Sequence, residues 1–424
     1  MNRTFVEEKV FKDPVHDYIY VHDAIVWNVI NTKAFQRLRR IKVMGTSYMT
    51  YHGAEHSRFT HSLGAYEVMR KVLSHFRRNH QWPKDDRTRL LALVSALVHD
   101  IGHGPFSHSI ESVFGCEHEW WTKKLLAEDA EMQQVLSTVD NEFAADVIDV
   151  IDKSDRFSGI VKLLSSQLDV DRMDYLLRDA FYTGVIYGRF ELERLIRVMR
   201  PYRGDVYVKR SGVHTVEQYI LARYFMYSQV YLHPLTLGSD ALLQKLLERA
   251  KVLYGLGQLS CCLPELVPFF EGGVRQMTVE EYQALDEPTI VYQIRRWNGE
   301  PDAILADLAN RFIHRNLFHA SPCRVLEPKD LQRLSDAFLE AGWEPDYYML
   351  YRSSTTDGYV YKEGIQCTGD EGESVDISAY SNLVRALRPE TVLHLYYPKE
   401  IVSSDSPASA HVAALISEFS LREN

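Results

Sequence analysis

Residues 98–108, with the sequence VHDIGHGPFSH, concentrate side chains that bind metals and move protons. His99 and Asp100 are adjacent at the end of a predicted helix, where neighbouring side chains point about 100° apart. The two glycines and the proline that follow predict that the helix ends here, so the two side chains can share one ion. An imidazole nitrogen and a carboxylate oxygen suit Mn, Fe, Zn or Ni better than Mg. Two ligands are too few for a tight site, so further ligands must come from elsewhere in the chain.

Two other segments offer such ligands. EHSRFTHSLG contains His61, and QLDVDRMDYLLRD contains Asp169, Asp171 and Asp174. Taken alone, a histidine near an apolar helix is usually a core residue, and an acidic helix such as DVDRMD is usually a solvated face. Nine of the 17 histidines, however, fall between residues 52 and 118. This clustering favours a shared site over isolated structural histidines.

Four motifs follow one another along the chain: FQRLRRIK, GAEHSRFTHSLG, HDIGHGPFSH and DVDRMDYLLRD. Together they resemble the HD-domain metal-dependent phosphohydrolases, most closely the branch of the deoxynucleoside triphosphate triphosphohydrolases, over roughly residues 5–260. The resemblance implies an enzyme that hydrolyses deoxynucleoside triphosphates to a deoxynucleoside and triphosphate, with water activated by one metal attacking the α-phosphorus. Mg is a further possibility, on the substrate phosphates. The metal ligands implied are His61, His99, Asp100 and Asp171.

Catalysis of this kind needs a general acid for the leaving 5′-oxygen. By resemblance, His118 is this acid and Glu111 orients it, because a carboxylate partner favours the protonated imidazole. His103 is expected to contact the phosphate or the nucleophile. His108 is expected either at the substrate or in the turn of the GPFSH segment. A second metal bound by these histidines is an alternative found in other HD branches.

Basic residues are expected at the phosphates. Arg58 resembles the family's phosphate-binding arginine, and a planar guanidinium suits phosphate oxygens. A surface salt bridge is the alternative for this residue. Arg172 stands where the family has a basic residue that reaches the phosphates, and His233 stands in a substrate-binding segment.

Helical spacing extends the site along the acidic helix. Asp171, Tyr175 and Asp179 are four residues apart and lie on one stripe. If Asp171 faces the metal, then Tyr175 and Asp179 face the same cavity. Core packing is the alternative for Tyr175.

Departures from the family pattern concern the sugar and the triphosphate. Val43 replaces a glutamine that recognises the 3′-hydroxyl in related enzymes, and Met44 replaces a leucine that packs on the deoxyribose. Pro234 and Leu235 follow His233 where relatives carry basic and aromatic residues. These changes leave sugar preference open and indicate weaker triphosphate binding or a shorter nucleotide.

An effector site is also implied by the resemblance. The segments FKDPVHDYIYVH and FQRLRRIK are similar to the arm and helix that bind an activating nucleotide, of the dGTP or GTP type, at a subunit interface. The same likeness implies a homo-oligomer, a dimer of dimers. Asn31 replaces an aspartate that reads guanine in some relatives, and a basic solvated face is the alternative for RLRRIK. The effector-binding residues implied are Lys9, Val10, Asp13, Gln36 and Arg39.

Two other functions stay open from the sequence. One is a different HD-domain nucleotidase or phosphodiesterase, which Val43 and the His233 segment favour. The other is a non-catalytic nucleotide-sensing protein, which the presence of four metal ligands and His118 disfavours.

The elements that position these residues are predicted to be mainly α-helical. We expect an N-terminal arm over residues 1–20, a helical HD body over 21–270, and a C-terminal helical and α+β region over 271–424. Asn31 is predicted to cap a helix that runs to Gly45. Strands are predicted in YYMLYRSS, GYVYKEGIQC and ETVLHLYYPKE, where aromatic and β-branched residues surround turns.

Composition limits the remaining classes. The formal net charge of -10 over 424 residues disfavours nucleic acid as a partner. The five cysteines form no CxxC pair, so neither a zinc ribbon nor a disulfide framework is indicated. The run LLALVSALV is too short to span a bilayer, and the charged N-terminus lacks a signal core. We therefore expect a cytoplasmic location without membrane contact.

Overall fold

The fold, taken from a computed structural model, is mainly α with small sheets, as the sequence predicts. Among the described residues, no helix is both long and apolar enough to cross a membrane. The structure describes residues 4–202, 204–356, 359–360, 364–368 and 374–421.

The N-terminal segment forms a β-hairpin. Strand β1 (Thr4–Asp13) pairs with β2 (Asp17–Asp23) in antiparallel register. The turn closes where Asp13 pairs with Asp17, which adopts a left-handed φ of 61°. A short aspartate side chain tolerates this conformation better than most residues do.

A bundle of helices follows the hairpin. Its central helix, α3 (Arg58–His80), packs against both α4 (Asp86–Val98) and α10 (Val170–Thr183). Side chains cap two of them, since Asp85 accepts from the Thr88 N–H before α4 and Asp169 accepts from the Arg172 N–H before α10. The helices are α1 (Ala24–Ile30), α2 (Lys33–Arg37), α3 (Arg58–His80), α4 (Asp86–Val98), α5 (His108–Phe114), α6 (His118–Glu128), α7 (Ala130–Leu136), α8 (Phe143–Ile151), α9 (Ser158–Leu164), α10 (Val170–Thr183), α11 (Leu192–Val198), α12 (Val213–Met226) and α13 (Pro234–Gly255).

The predicted helix from Asn31 to Gly45 is wrong. Thr32 caps α2, which ends at Arg37, and a 3₁₀ turn follows over residues 38–40. The chain then becomes extended because residues 41–43 bond to residues 56–58: the Arg58 N–H donates to the Ile41 carbonyl at 2.8 Å. Tertiary pairing therefore overrides the helical pattern in this segment. Asn31 instead ends α1, and its amide donates to the Trp27 carbonyl.

The C-terminal region adds shorter helices and most of the strands. The helices are α14 (Val267–Phe270), α15 (Val279–Gln283), α16 (Glu287–Trp297), α17 (Ala303–Ile313), α18 (Pro328–Glu340), α19 (Pro345–Tyr348), α20 (Asn382–Ala386), α21 (Glu400–Ser403) and α22 (Pro407–Phe419). The strands, beginning in the body, are β3 (Met199–Tyr202), β4 (Asp205–Val208), β5 (His319–Pro322), β6 (Leu350–Thr356), β7 (Gln366–Thr368), β8 (Ser374–Asp376) and β9 (Glu390–Tyr397). Strands lie in YYMLYRSS and ETVLHLYYPKE, and β7 begins at the end of GYVYKEGIQC, of which residues 358 and 361–363 lie outside the described part of the chain.

Sheet pairing ties this region to the body. Strand β7 runs parallel to β4 and extends the β3–β4 hairpin, while β5, β9 and β6 form a separate antiparallel sheet. Two hydrophobic cores result, one around α3, α4 and α10 and the other around α13, α16 and α17. The boundary at residue 270 stays a prediction.

Candidate metal centre and active site

The four predicted metal ligands converge from three elements. His61 lies in the first turn of α3, His99 and Asp100 directly follow α4, and Asp171 lies in the first turn of α10. The Nε2 atom of His61 is 3.1 Å from Asp171 Oδ1 and 3.8 Å from Asp100 Oδ2. The Nε2 atom of His99 is 3.4 Å from an oxygen of each carboxylate.

The backbone of the loop after α4 is held by the Thr122 side chain of α6. The Thr122 hydroxyl donates to the His99 carbonyl at 3.1 Å and accepts from the Gly102 N–H at 3.0 Å. A Cβ added to Gly102 would lie 2.2 Å from the Thr122 nitrogen and 2.3 Å from the His118 carbonyl oxygen. Glycine is therefore required because the loop approaches the first turn of α6 this closely.

The three aspartates of DVDRMD hold three different positions. Asp169 caps α10 by accepting from the backbone N–H groups of Ser166 and Arg172. Asp171 is the one whose carboxylate lies with the Nε2 atoms of His61 and His99. Asp174, one turn further on, contacts the opposite ring nitrogen of His61, with 2.9 Å between Nδ1 and Oδ2.

These residues fit a divalent metal. The buried Nε2 of His99 has no hydrogen-bond partner among the described residues, although two carboxylates stand beside it. Burial opposes charge on His61, but Asp171 and Asp174 outweigh it and raise the His61 pKa to about 10. Burial likewise opposes charge on Asp171, but the imidazoles of His61 and His99 hold the pKa of that carboxyl well below its usual range. A cation would satisfy the orphaned nitrogen and both carboxylates, and mixed nitrogen and oxygen ligands suit Mn, Fe, Zn or Ni.

Beside these ligands lies a cavity of about 410 Å³. It accommodates a nucleotide-sized molecule. Met44 and Val43 also line it, at the positions where the family pattern is broken. The predicted site residues in its wall are Arg58, His61, Asp100, His103, His108, His118, Asp171, Tyr175 and Asp179.

A histidine and carboxylate cluster forms one side of this cavity. His118 Nδ1 is 2.8 Å from Glu111 Oε1, and the His103 ring stacks on the His118 ring with 3.8 Å between centroids. Burial opposes charge on Glu111, but hydrogen bonds from His108 and His118 hold its pKa well below the usual range. Burial and the charge of Arg58 lower the pKa of His103 to about 3, so this imidazole is neutral at pH 7. The cluster thus combines an ionised carboxylate, an oriented imidazole and a neutral one.

The same cluster contains a second group of side chains that could bind a metal. Asp100, His103 and His118 offer ligand atoms that all lie within 4.8 Å of one another. His108, in contrast, has a side chain that is 81% exposed and contacts Glu111 at 3.3 Å.

Arg58 is buried rather than part of a surface salt bridge. Its guanidinium forms an ion pair with Asp100 and donates to the Ser107 hydroxyl at 2.7 Å. Phe106 and Ser107 both have positive φ, of 52° and 34°, which non-glycine residues rarely adopt. The strained turn presents the serine hydroxyl to the arginine.

Two residues predicted at the substrate do not line the cavity. Arg172 turns away and forms an ion pair with Asp169. His233 caps α13 by accepting from the Leu235 N–H at 3.2 Å and packs edge-on against Tyr51.

The predicted effector residues lie on the hairpin and around α2. Lys9 and Val10 are exposed on β1, and Arg39 lies over the Phe59 ring while donating to Gln36 at 2.8 Å. Asp13 is buried and paired with a buried arginine, so its carboxylate does not face solvent in this chain.

Sequence reasoning missed several residues of the cavity wall. After α12, residues 227–231 form a π-helix that turns Tyr227 and Tyr231 toward the cavity. The Tyr231 hydroxyl donates to Asp179 Oδ2 at 2.8 Å, and Asp240 accepts from the Thr46 hydroxyl. The two tyrosines just before His233 are visible in the sequence, but α-helical spacing does not turn them toward this wall.

Comparison with known proteins agrees with this geometry. A family model described as the HD domain matches residues 58–179, and one described as the HD associated region matches residues 190–252. The uncharacterized protein YwfO of Bacillus subtilis is 45% identical over 414 residues, or 95% of this chain and 94% of that protein. The deoxynucleoside triphosphate triphosphohydrolase SAMHD1 homolog of Dictyostelium discoideum is 28% identical over 242 residues, or 53% of this chain and 46% of that protein. The crystal structure of a phosphohydrolase from Bacteroides thetaiotaomicron has a TM-score of 0.82 at 28% identity and covers 92% of this chain and 100% of that chain. The chain therefore belongs to the HD-domain family of phosphohydrolases.

Proposed function

We propose that the protein hydrolyses deoxynucleoside triphosphates to a deoxynucleoside and triphosphate. One observation carries this proposal: a single cavity is lined by three of the four proposed metal ligands, by the buried guanidinium of Arg58 and by His118, whose ring pairs with Glu111. These are the parts needed to bind a phosphate, neutralise its charge and protonate a leaving oxygen. The triphosphohydrolase named among the relatives supports the same reaction.

The metal would be held by His61, His99, Asp100 and Asp171. When bound, a divalent metal supplies Lewis acidity and lowers the pKa of water at this position. Arg58 already holds Asp100 and Ser107, so its guanidinium is positioned at the cavity wall before substrate arrives. We propose that Arg58 neutralises the negative charge of the α-phosphate, a role for which a rigid planar donor is suited.

Proton transfer is assigned to His118. Hydrolysis at the α-phosphorus adds the oxygen of water to that phosphate and breaks its bond to O5′, which leaves as a hydroxyl once it receives a proton. Glu111 accepts from His118 Nδ1, so Nε2 is the nitrogen left to donate. Neutral His103 packs flat on His118 and limits its rotation.

We assign recognition of the sugar to the part of the cavity wall formed by Tyr175, Asp179 and Tyr231. The Asp179 oxygens are held by His56 at 2.7 Å and Tyr231 at 2.8 Å, which fixes the carboxylate beside Tyr175. Because the valine at position 43 cannot form a hydrogen bond through its side chain, we assign recognition of the 3′-hydroxyl to these residues instead. We therefore expect weaker discrimination at the 3′-position than at the phosphate.

The reaction is tested by phosphorus NMR of the protein with the four dNTPs, Mn²⁺ and Mg²⁺. Tripolyphosphate signals that are absent with the Asp100→Ala variant are expected. Release of only orthophosphate or pyrophosphate contradicts the proposal. Turnover that appears only after dGTP or GTP is added supports activation as well.

A second candidate is a different HD-domain nucleotidase or phosphodiesterase. Arg58 is the only lysine or arginine among the described residues of the cavity wall, and four carboxylates stand there with it. This imbalance favours a substrate with fewer phosphates, unless Mg²⁺ accompanies the triphosphate. Mononucleotide or orthophosphate products identify this candidate.

Regulation by a nucleotide is a further part of the proposal. Lys9 and Val10 are exposed on β1, Gln36 lies in α2 and Arg39 just after it, whereas Asp13 is buried at the hairpin turn. We propose a homo-oligomer, a dimer of dimers, in which a dGTP- or GTP-type activator binds there. Light scattering with and without dGTP tests the assembly, and nucleotide binding without any turnover indicates the sensing protein instead.

A further inference from the structure

The proposed metal ligand His61 uses both of its ring nitrogens. Nε2 faces the carboxylates of Asp171 and Asp100, whereas Nδ1 lies 2.9 Å from Asp174 Oδ2. When Nε2 binds a metal through its lone pair, Nδ1 carries the proton and donates it to Asp174. The hydrogen bond therefore selects the tautomer and fixes the plane of the ring.

Asp174 is fully buried and surrounded by donors. Its Oδ1 atom lies 2.6 Å from His16 Nε2 and 2.9 Å from Arg178 Nη2. Its Oδ2 atom lies 2.9 Å from Arg178 Nε, in addition to the contact with His61. Four contacts on two oxygens leave this carboxylate little freedom to rotate, so its position is transmitted to the His61 ring.

Arg178 carries the contact outward to the N-terminal hairpin. It donates through Nη1 to Asp13 Oδ2 at 2.8 Å. Asp13 in turn accepts from the N–H groups of Val15 and His16 at 2.9 Å each. The turn between β1 and β2 is thus joined to the proposed metal ligand through buried charged groups only.

Gly64 on α3 leaves room for this arrangement. A Cβ at that position would lie 1.9 Å from Asp174 Oδ1 and 2.4 Å from Arg178 Nη2. Glycine inside a helix costs roughly 0.5–1 kcal/mol relative to alanine. The three atoms nearest to that Cβ position all belong to Asp174 and Arg178, whose side chains fill the space beside the helix.

We propose that Asp174 is a positioning residue for His61, and that Asp13, His16 and Arg178 make the hairpin turn part of the metal site. The proposal rests on the metal site assigned above, but not on the identity of the substrate. Its physical basis is that a carboxylate behind a ligating imidazole raises the basicity of the ligand and holds its orientation. Losing such a partner typically weakens metal binding by about 10–100-fold.

The test is the affinity of the metal-free protein for Mn²⁺, measured from the electron paramagnetic resonance signal of free Mn²⁺. Asp174→Asn is expected to raise the Kd by about tenfold or more, because the amide has no charge and can present either a donor or an acceptor to Nδ1. Asp13→Asn is expected to raise it by a smaller factor, about threefold, because it acts through Arg178.

Asp23→Asn is the matched control. Asp23 lies at the end of β2, is buried, and forms a two-bond ion pair with Arg89 at 2.7 and 3.0 Å. This pair resembles Asp13–Arg178 in its buried carboxylate and its hairpin location, its arginine is partly exposed, and it does not contact a proposed metal ligand. The control is expected to lower the unfolding temperature of the metal-free protein while its Mn²⁺ Kd stays within about twofold, since the ligand contacts are unchanged.

The proposal is overturned if the Asp174→Asn variant folds and binds Mn²⁺ with the same affinity as the unchanged protein. If Asp174→Asn does not fold, Asp13→Asn decides, and a Kd shift no larger than that of Asp23→Asn overturns it equally. Because Mn²⁺ binding needs no substrate, a protein that binds the metal yet hydrolyses no dNTP disproves the proposed function alone.

Discussion

Substitution of Gly102 tests most directly how α6 and the loop after α4, which carries His99 and Asp100, build the proposed active site. An added Cβ at this position meets backbone, with 2.3 Å to the His118 carbonyl oxygen. Ordinary contact begins near 3.4 Å, so in Gly102→Ala the start of α6 must retreat by about 1 Å. His118 moves with it, and a misplacement of about 1 Å costs roughly 10²-fold in rate, or about 2.7 kcal/mol in the barrier.

The assay is steady-state release of deoxynucleoside from dNTP, with the unfolding temperature measured in parallel. We expect kcat of Gly102→Ala to fall by about 10²-fold, while the protein loses about 1–3 kcal/mol of stability through overpacking. Gly104→Ala is the control in the same loop, because its Cβ would lie 3.2 Å from the Tyr282 hydroxyl and 3.6 Å from Ile110 Cγ2, which are side-chain contacts rather than overlaps with backbone. Equal damage from both substitutions, or full activity of Gly102→Ala, would refute the reasoning.

Other perturbations separate the remaining parts of the site. Arg58→Lys loses the planar contacts to Asp100 and Ser107, so kcat/KM is expected to fall by about 10–10²-fold in steady-state assays. Tyr231→Phe removes one of the two donors to Asp179 and is expected to raise KM for dNTP severalfold with little change in kcat. Folding lowers the Glu111 pKa, so the stability that its contacts provide is fully present above the unfolded pKa of about 4.3 and is lost as the pH falls through the lower folded value. The difference in unfolding free energy between Glu111→Gln and the unchanged protein should therefore shrink from pH 7 to pH 4, and a constant difference contradicts this. Removal of metal should abolish turnover, and Mn²⁺ at 100 times its Kd should restore it and add about 2.7 kcal/mol to the unfolding free energy in urea titrations.

The residues proposed as metal ligands could be selected from the sequence because the motifs that carry the family resemblance are local. His99 and Asp100 end a helix that their own segment predicts, and Asp171 lies in the first turn of a helix capped two residues earlier. Each motif spans only a few residues, so it can be recognised without knowledge of the tertiary contacts. The mainly α fold and the C-terminal strands were predictable for the same reason.

Sequence reasoning was least successful where the direction of a side chain around a helix decides whether it faces the cavity. Arg172 follows Asp171 directly, and adjacent helical side chains point about 100° apart, so both cannot face one cavity without a break. The π-helix after α12 shifts the phase again, so α-helical spacing cannot place Tyr227, Tyr231 and His233. The extended segment at residues 41–43 depends on partners at residues 56–58, which no local pattern reveals.

Two glycines show how a residue without a side chain can define a site. From the sequence, Gly102 predicts the end of a helix and Gly64 predicts a less stable helix. In the structure, other groups pack closely against both glycines, next to the segments that carry the proposed metal ligands. Gly102 lets α6 reach the loop that carries His99 and Asp100, and Gly64 lets the Asp174–Arg178 pair reach the back of His61. Since a glycine signals only that something approaches, the approaching group must be read from the three-dimensional structure. The proposed metal centre is therefore built from contacts behind its ligands as well as from the ligands, and the hairpin turn at Asp13 is linked to it through Arg178 although it is far away in sequence.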